Sequence, residues 1–207
     1  MAFYLIDGSI FLHMPRCGGT YVTEVLRRTG VLGKAIGRKH DCPGVVPMDM
    51  TVRHRVFIRH PYRFIRSVWA LQHAWNWPRW PKHTKDGRWW HPFAEINDPP
   101  DGSRDDFSEF VWWIATARTG WVTSLYMKFA DWPNSDVYDT GWMADDLPQL
   151  LYRLGVDPVA ARIAMASAAK ARNTFPLPDD AESETIRAFE QAEQTVYRRF
   201  GYAKETT

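Results

Sequence analysis

Between Ile10 and Thr20 a short apolar run, Ile10-Phe11-Leu12, meets a turn with one cation and two adjacent glycines. The turn reads His13-Met14-Pro15-Arg16-Cys17-Gly18-Gly19, and a helix is expected to open at Thr20. A strand that turns into a helix start in this way makes an anion site. The first backbone N–H groups of a helix have no partner within it, and the helix dipole adds partial positive charge there. Gly18 and Gly19 let an anion approach the backbone closely. Arg16 supplies a full charge. The Gly-x-x-x-x-Gly-Lys-Ser/Thr spacing of a Walker A loop is absent.

Residues 56 to 69 repeat the layout: Val-Phe-Ile-Arg-His-Pro-Tyr-Arg-Phe-Ile-Arg-Ser-Val-Trp. A second apolar strand ends at Arg59, and Pro61 suits the first turn of the next helix. Ser67 falls about two turns into that helix. Ligands of open α/β sheets bind at the carboxyl ends of the strands. Two strand ends, each with an Arg and a helix start, suit a ligand with two separated anionic groups.

Together these segments resemble the sulfotransferases that use 3′-phosphoadenosine 5′-phosphosulfate (PAPS), in particular the carbohydrate-type members. Their 5′-phosphosulfate loop is usually His-x-Pro-Lys-Thr/Cys-Gly-Gly/Ser-Thr, and here His13 to Thr20 is similar to it. Their 3′-phosphate motif is an Arg-x-Pro followed by a Ser, matched by Arg59-His60-Pro61 and Ser67. A C-terminal stretch, Arg172-Asn173-Thr174 and then Tyr197-Arg198-Arg199-Phe200-Gly201-Tyr202, is also similar. The resemblance implies an α/β three-layer sandwich with a central parallel sheet and a P-loop-like phosphate-binding loop, in one domain over residues 1–207. It implies PAPS as cofactor, held by Arg16, Cys17, Gly18, Gly19, Thr20, Tyr21, Arg59, Ser67, Arg172 and Asn173. Arg16 stands where the family has Lys, which assists the departing oxygen. Arg keeps the charge but spreads it over a planar fork. A slow enzyme or a binding-only relative is the alternative this leaves open.

Sulfuryl transfer, like phosphoryl transfer, passes a loose group in line to an acceptor hydroxyl or amine. It needs charge on the departing oxygen and a base for the acceptor proton. The catalytic residues expected are Arg16 and His40. The resemblance favours His40, because carbohydrate-type relatives carry a Glu or His in the connector after the first helix. The near-neutral pKa of histidine suits the task. His73 and Glu24 are the fallbacks, and His13 is expected to support the loop. No metal is required; His40-Asp41-Cys42 lacks the paired spacing of a zinc site. Two cysteines, Cys17 and Cys42, are too few for a disulfide framework.

Residues 75 to 105 are the least regular stretch. Trp75, Trp77, Trp80, Trp89 and Trp90 are interleaved with Pro78, Pro81 and Pro92. A long loop or lid is expected there, with His73, Trp75, Trp77 and Trp80 binding the acceptor. Indoles stack on sugar or aromatic rings. Trp69, Trp112 and Trp113 are expected to fill the core.

Charge supports a polyanionic ligand. Residues 16 to 90 hold fifteen Lys/Arg against four Asp/Glu, and the rest of the chain holds eleven against twenty. The basic block coincides with both anion segments. A nucleotide-binding phosphotransferase or kinase is the rival enzyme reading, but it would need a Walker A Lys and an acidic Mg²⁺ ligand after a strand. A nucleic-acid-binding module is the rival non-enzyme reading. No run reaches the length of a membrane span, and no secretory signal opens the chain, so a cytoplasmic protein without a membrane partner is expected.

Along the chain, strands are expected at 3–6, 10–12 and 52–59 and near Asp136–Thr140. Residues 31 to 50 read as an irregular connector. Helices are expected from Thr20 to Gly30, from Pro61 to about Trp75, and over 106–118. A further helix carries Leu147 to Leu154, another runs from Asp157 to about Ala171, and the last from about Ala181 to Phe200.

Overall fold

The computed structural model describes residues 2–37, 41, 49, 51–78, 91–168 and 175–203. His40, Cys42, Trp80, Arg172 and Asn173 lie outside the described residues. The chain gathers into two compact units. One holds Met1–Arg59 and Lys128–Arg172, and the other His60–Met127 and Asn173–Thr207.

The first unit contains the sheet. Its strands are β1 (Ala2–Leu5), β2 (Ile10–Leu12), β3 (Leu32–Ile36), β4 (His54–Ile58) and β5 (Ser135–Asp139), in spatial order β3-β1-β2-β4-β5. The sheet is mixed, which corrects the expected parallel one. β2, β4 and β5 run parallel, with Leu12 opposite Val56 and Ile58 opposite Asp139. β1 is antiparallel to both β2 and β3. The tight turn Asp7-Gly8-Ser9 dictates this, since only antiparallel strands can be joined so briefly. Gly8 takes φ 81°, and the Asp7 carboxylate accepts from the Ser9 N–H at 3.0 Å.

β3 falls inside the expected irregular connector. It is an edge strand whose central residues, Gly33, Lys34 and Ala35, are exposed. Its sequence therefore lacks apolar alternation, and pairing with β1 alone makes it a strand.

One face of the sheet carries a core cluster within this unit, while Ile10, Leu12, Val56 and Ile58 are buried on the other. Phe3, Phe11, Phe57 and Tyr138 pack with α1 (Gly19–Arg28), α6 (Met143–Arg153) and α7 (Pro158–Ser167). Val22, Val25 and Leu26 are the buried stripe of α1, Leu147, Leu150 and Leu151 that of α6. Asp157 caps α7 by accepting from Val159 and Ala160, with Pro158 at its first position. On the same face Arg55, buried in β4, donates to Asp7 at 2.6 Å.

The second unit is helical among its described residues. It contains α2 (Pro61–Ala74), α3 (Gly102–Asp105), α4 (Phe107–Ala117), most of α5 (Trp121–Ala130), α8 (Ser183–Ala192) and α9 (Gln194–Phe200). Within 75–105, the expected loop, a 3-10 turn at Ala94–Ile96 and α3 are regular. α5 was not anticipated, although Trp121, Val122, Leu125, Tyr126 and Phe129 are buried at helical spacing. The single helix expected from Ala181 to Phe200 is two. The break falls at Glu193, fully buried at φ −107°, ψ 17°. Its carboxylate accepts from the N–H groups of Val122 (3.1 Å) and Thr123 (2.7 Å) and from the Thr123 hydroxyl (2.6 Å). It caps α5 from a distant part of the chain, a role invisible to local pattern. Trp69 and Trp113 are buried as expected, but Trp112 is 47% exposed.

Candidate active site

The carboxyl ends of β2 and β4 lie side by side, because the strands are parallel neighbours in register. The anion loop leaves β2 at His13. Arg16 adopts φ 59° and Gly18 φ 72°. A left-handed arginine is strained by about 1 kcal/mol, and such outliers gather at functional sites. Gly18 is the N-cap of α1, which opens at Gly19, one residue before the expected start at Thr20. Thr20 is the exposed second residue of the helix.

Gly18 is favoured by its positive φ and Gly19 by shape. A Cβ on Gly18 would lie 2.6 Å from the Met143 methyl, and one on Gly19 would overlap the His13 ring. His13 is itself 8% exposed, so its imidazole braces the loop from below, the supporting role expected of it. The N-cap Gly18 brings no capping side chain, and no acidic residue occupies the first turn of α1. The dipole at this end is thus unopposed by the helix's own side chains.

Cys17 is fully buried. Burial pushes its thiol up to about 12, with Asp139 adding to the rise; the charges of Arg59 and Arg16 and the Arg59 backbone N–H oppose it. Cys17 is a free thiol and, so protonated, fills the turn without being a nucleophile. Burial, and then the like charge of Arg59, pull Arg16 down from 12.5 to about 10. It remains a cation at neutral pH. The loop arginine and the arginine that ends β4 are therefore electrostatic neighbours, both within the first unit.

The other expected residues that are described sit as follows. Tyr21 is half-buried, and its hydroxyl donates to the Met165 carbonyl at 3.2 Å. Its phenol supports α1 against α7. Ser67, on α2 in the second unit, is 1% exposed. Glu24 pairs with Arg27 and with Arg28 (2.8 Å) on the outer face of α1. In the second unit His73 stacks on Trp69, with ring centroids 4.7 Å apart, and its Nδ1 lies 3.3 Å from the Arg104 carbonyl. The Trp77 indole N–H donates to that same carbonyl at 3.3 Å, so both side chains hold α3. Trp75 is 49% exposed and meets Phe175 edge-on. Among the described residues no group of three metal-ligating side chains gathers.

Sequence reasoning missed Asp139. It ends β5, opposite Ile58, and its carboxylate is close enough to raise the Cys17 thiol. It also accepts from the Gly141 N–H, while its own N–H donates to Asp146 at 3.0 Å. An acidic residue at the end of a strand next to an anion-loop strand was the signal available. Compared with known proteins, the chain matches no family model, no curated protein and no solved structure.

Proposed function

We propose that the protein is a sulfotransferase that moves the sulfuryl group of PAPS to a hydroxyl or amine of a carbohydrate or other small acceptor. One observation carries this reading. Arg16, in the loop after β2, is lowered by burial and then by the like charge of Arg59, which follows the adjacent parallel strand β4, and the glycine N-cap of α1 brings no capping side chain. Two cations held together at an open helix N-terminus suit a ligand with more than one negative charge. A phosphosulfate with a second phosphate has that character. The finer fold that goes with the reading is a three-layer sandwich around the sheet with a P-loop-like turn at Arg16–Thr20.

In this reading the backbone N–H groups of Cys17 to Thr20 cradle the 5′-phosphate. Arg16 donates to the oxygen that links phosphorus to sulfur and takes up charge as that S–O bond breaks. Arg59 and Ser67 hold the 3′-phosphate, and Arg172 and Asn173 close on the cofactor. The acceptor oxygen forms the new bond to sulfur and passes its proton to His40. Trp75, Trp77, Trp80 and His73 bind the acceptor, with Trp75 and His73 exposed and Trp77 half-buried. The site asks for no metal.

Asp139 favours a second reading. A carboxylate at the end of β5 is the element a Mg²⁺-dependent phosphotransferase would need. The test separates the two. The protein is incubated with PAPS and a mixture of sugar and phenol acceptors in the presence of EDTA, and 3′,5′-adenosine bisphosphate is followed by chromatography. Metal-independent release supports sulfuryl transfer. Transfer from ATP that requires Mg²⁺, with none from PAPS, would replace it with phosphoryl transfer.

A further inference from the structure

Met143 opens α6, and its side chain reaches the anion loop. From the position of a Cβ on Gly18 its methyl lies at 2.6 Å and its sulfur at 3.6 Å, with the Thr140 methyl at 3.8 Å. Met143 is only partly buried against the sheet core. Its side chain touches the residue that caps α1. A thioether is a weak acceptor and leaves backbone donors alone. A sulfoxide is polar and a far better acceptor.

We propose that Met143 is an oxidation site that controls anion binding at the Arg16–Thr20 loop. Hydrogen peroxide is the oxidant. One peroxide oxygen bonds to Sδ, the O–O bond breaks, sulfur gives up two electrons, and the second oxygen leaves as water. The new S–O group crowds Gly18, which holds φ 72° and has the Met143 methyl already in contact. Its oxygen also offers an internal acceptor to the first N–H groups of α1, whose N-cap glycine brings no capping side chain. The modified residue thus competes with an anionic ligand for the same donors. Methionine sulfoxide reductase, using a thiol as reductant, removes the oxygen and restores the site. Cys17, buried beside the loop, is shielded from the same oxidant.

This inference rests on the reading of Arg16–Thr20 as an anion loop, and the experiment separates the two. The full chain is treated with peroxide until mass spectrometry shows Met143 as the sulfoxide, then with dithiothreitol to restore thiols. Affinity for 3′,5′-adenosine bisphosphate and for inorganic pyrophosphate is measured by calorimetry before and after. Oxidation is expected to weaken both at least tenfold, with recovery after the reductase. Met143→Leu should keep its own untreated affinity through the same treatment, and Met143→Gln should bind weakly without any oxidant. Unchanged affinity with Met143 fully oxidised would overturn the proposal. So would an equal loss in treated Met143→Leu, which would place the damage elsewhere. An untreated wild-type protein that binds neither probe would sink the loop reading and this inference with it.

Discussion

Arg16 carries two costs at once: a left-handed backbone and a like-charged neighbour. Backbone strain of this kind gathers at functional sites. Charge-assisted hydrogen bonds are worth about 1.5–3 kcal/mol. Arg16→Ala should therefore weaken binding of 3′,5′-adenosine bisphosphate by roughly 10- to 100-fold, measured by calorimetry. Undiminished affinity in the variant would contradict a role for Arg16 in holding the ligand. The two loop glycines should differ from Gly30. At Gly30, φ is 73° and nothing lies within 4 Å of an added Cβ, so Gly30→Ala should cost about 1 kcal/mol by denaturation. Gly19→Ala drives a methyl into the His13 ring and should cost about 1–3 kcal/mol and remove anion binding. The need for glycine here was legible from the paired glycines before a helix. The left-handed Arg16 was not, since nothing in an arginine's identity marks a positive φ.

At the level of elements, the helix starts and stops were most readable where the chain supplies its own chemistry. Asp157-Pro158 and the leucine stripe of α6 placed their helices correctly. The misses came from tertiary partners. β3 exists because β1 pairs with it, and the last helix breaks because Glu193 turns to cap α5. Burial raises the Glu193 carboxyl above its ordinary range, against the hydrogen bonds from Thr123, Val122 and Gly120. The folded state thus holds the proton more tightly than the unfolded chain, whose value is about 4.3. The stability this proton linkage contributes is present below that value and is lost as pH rises through the raised folded value. Urea midpoints of wild type relative to Glu193→Gln should fall across that window; a flat difference would mean the group does not titrate there. Glu193→Ala should cost about 1–2 kcal/mol as a lost cap, read from the same urea curves.

On the scale of the whole molecule, an α/β architecture was legible, and so was one antiparallel pair that the expectation of a parallel sheet passed over. Strand direction depends on the reach of each connection, and the four residues between β1 and β2 exclude a parallel pair. Among the described residues no helix is long and apolar enough to cross a membrane. The anion loop and Arg59 belong to one compact unit, whereas Ser67, His73, Trp75 and Trp77 belong to the other. A net charge of only +2, concentrated on the basic block, predicts weak and non-specific binding of oligonucleotides. A filter-binding series across salt concentrations should show no tight complex at 150 mM, roughly physiological ionic strength. The central claim is that paired strand-end arginines recognise a ligand with two separated anionic groups. The most direct test is calorimetric titration with 3′,5′-adenosine bisphosphate beside AMP and ATP, without metal. The account predicts clear preference for the bisphosphate, lost in Arg59→Ala. Equal binding of all three, or of none, would contradict it.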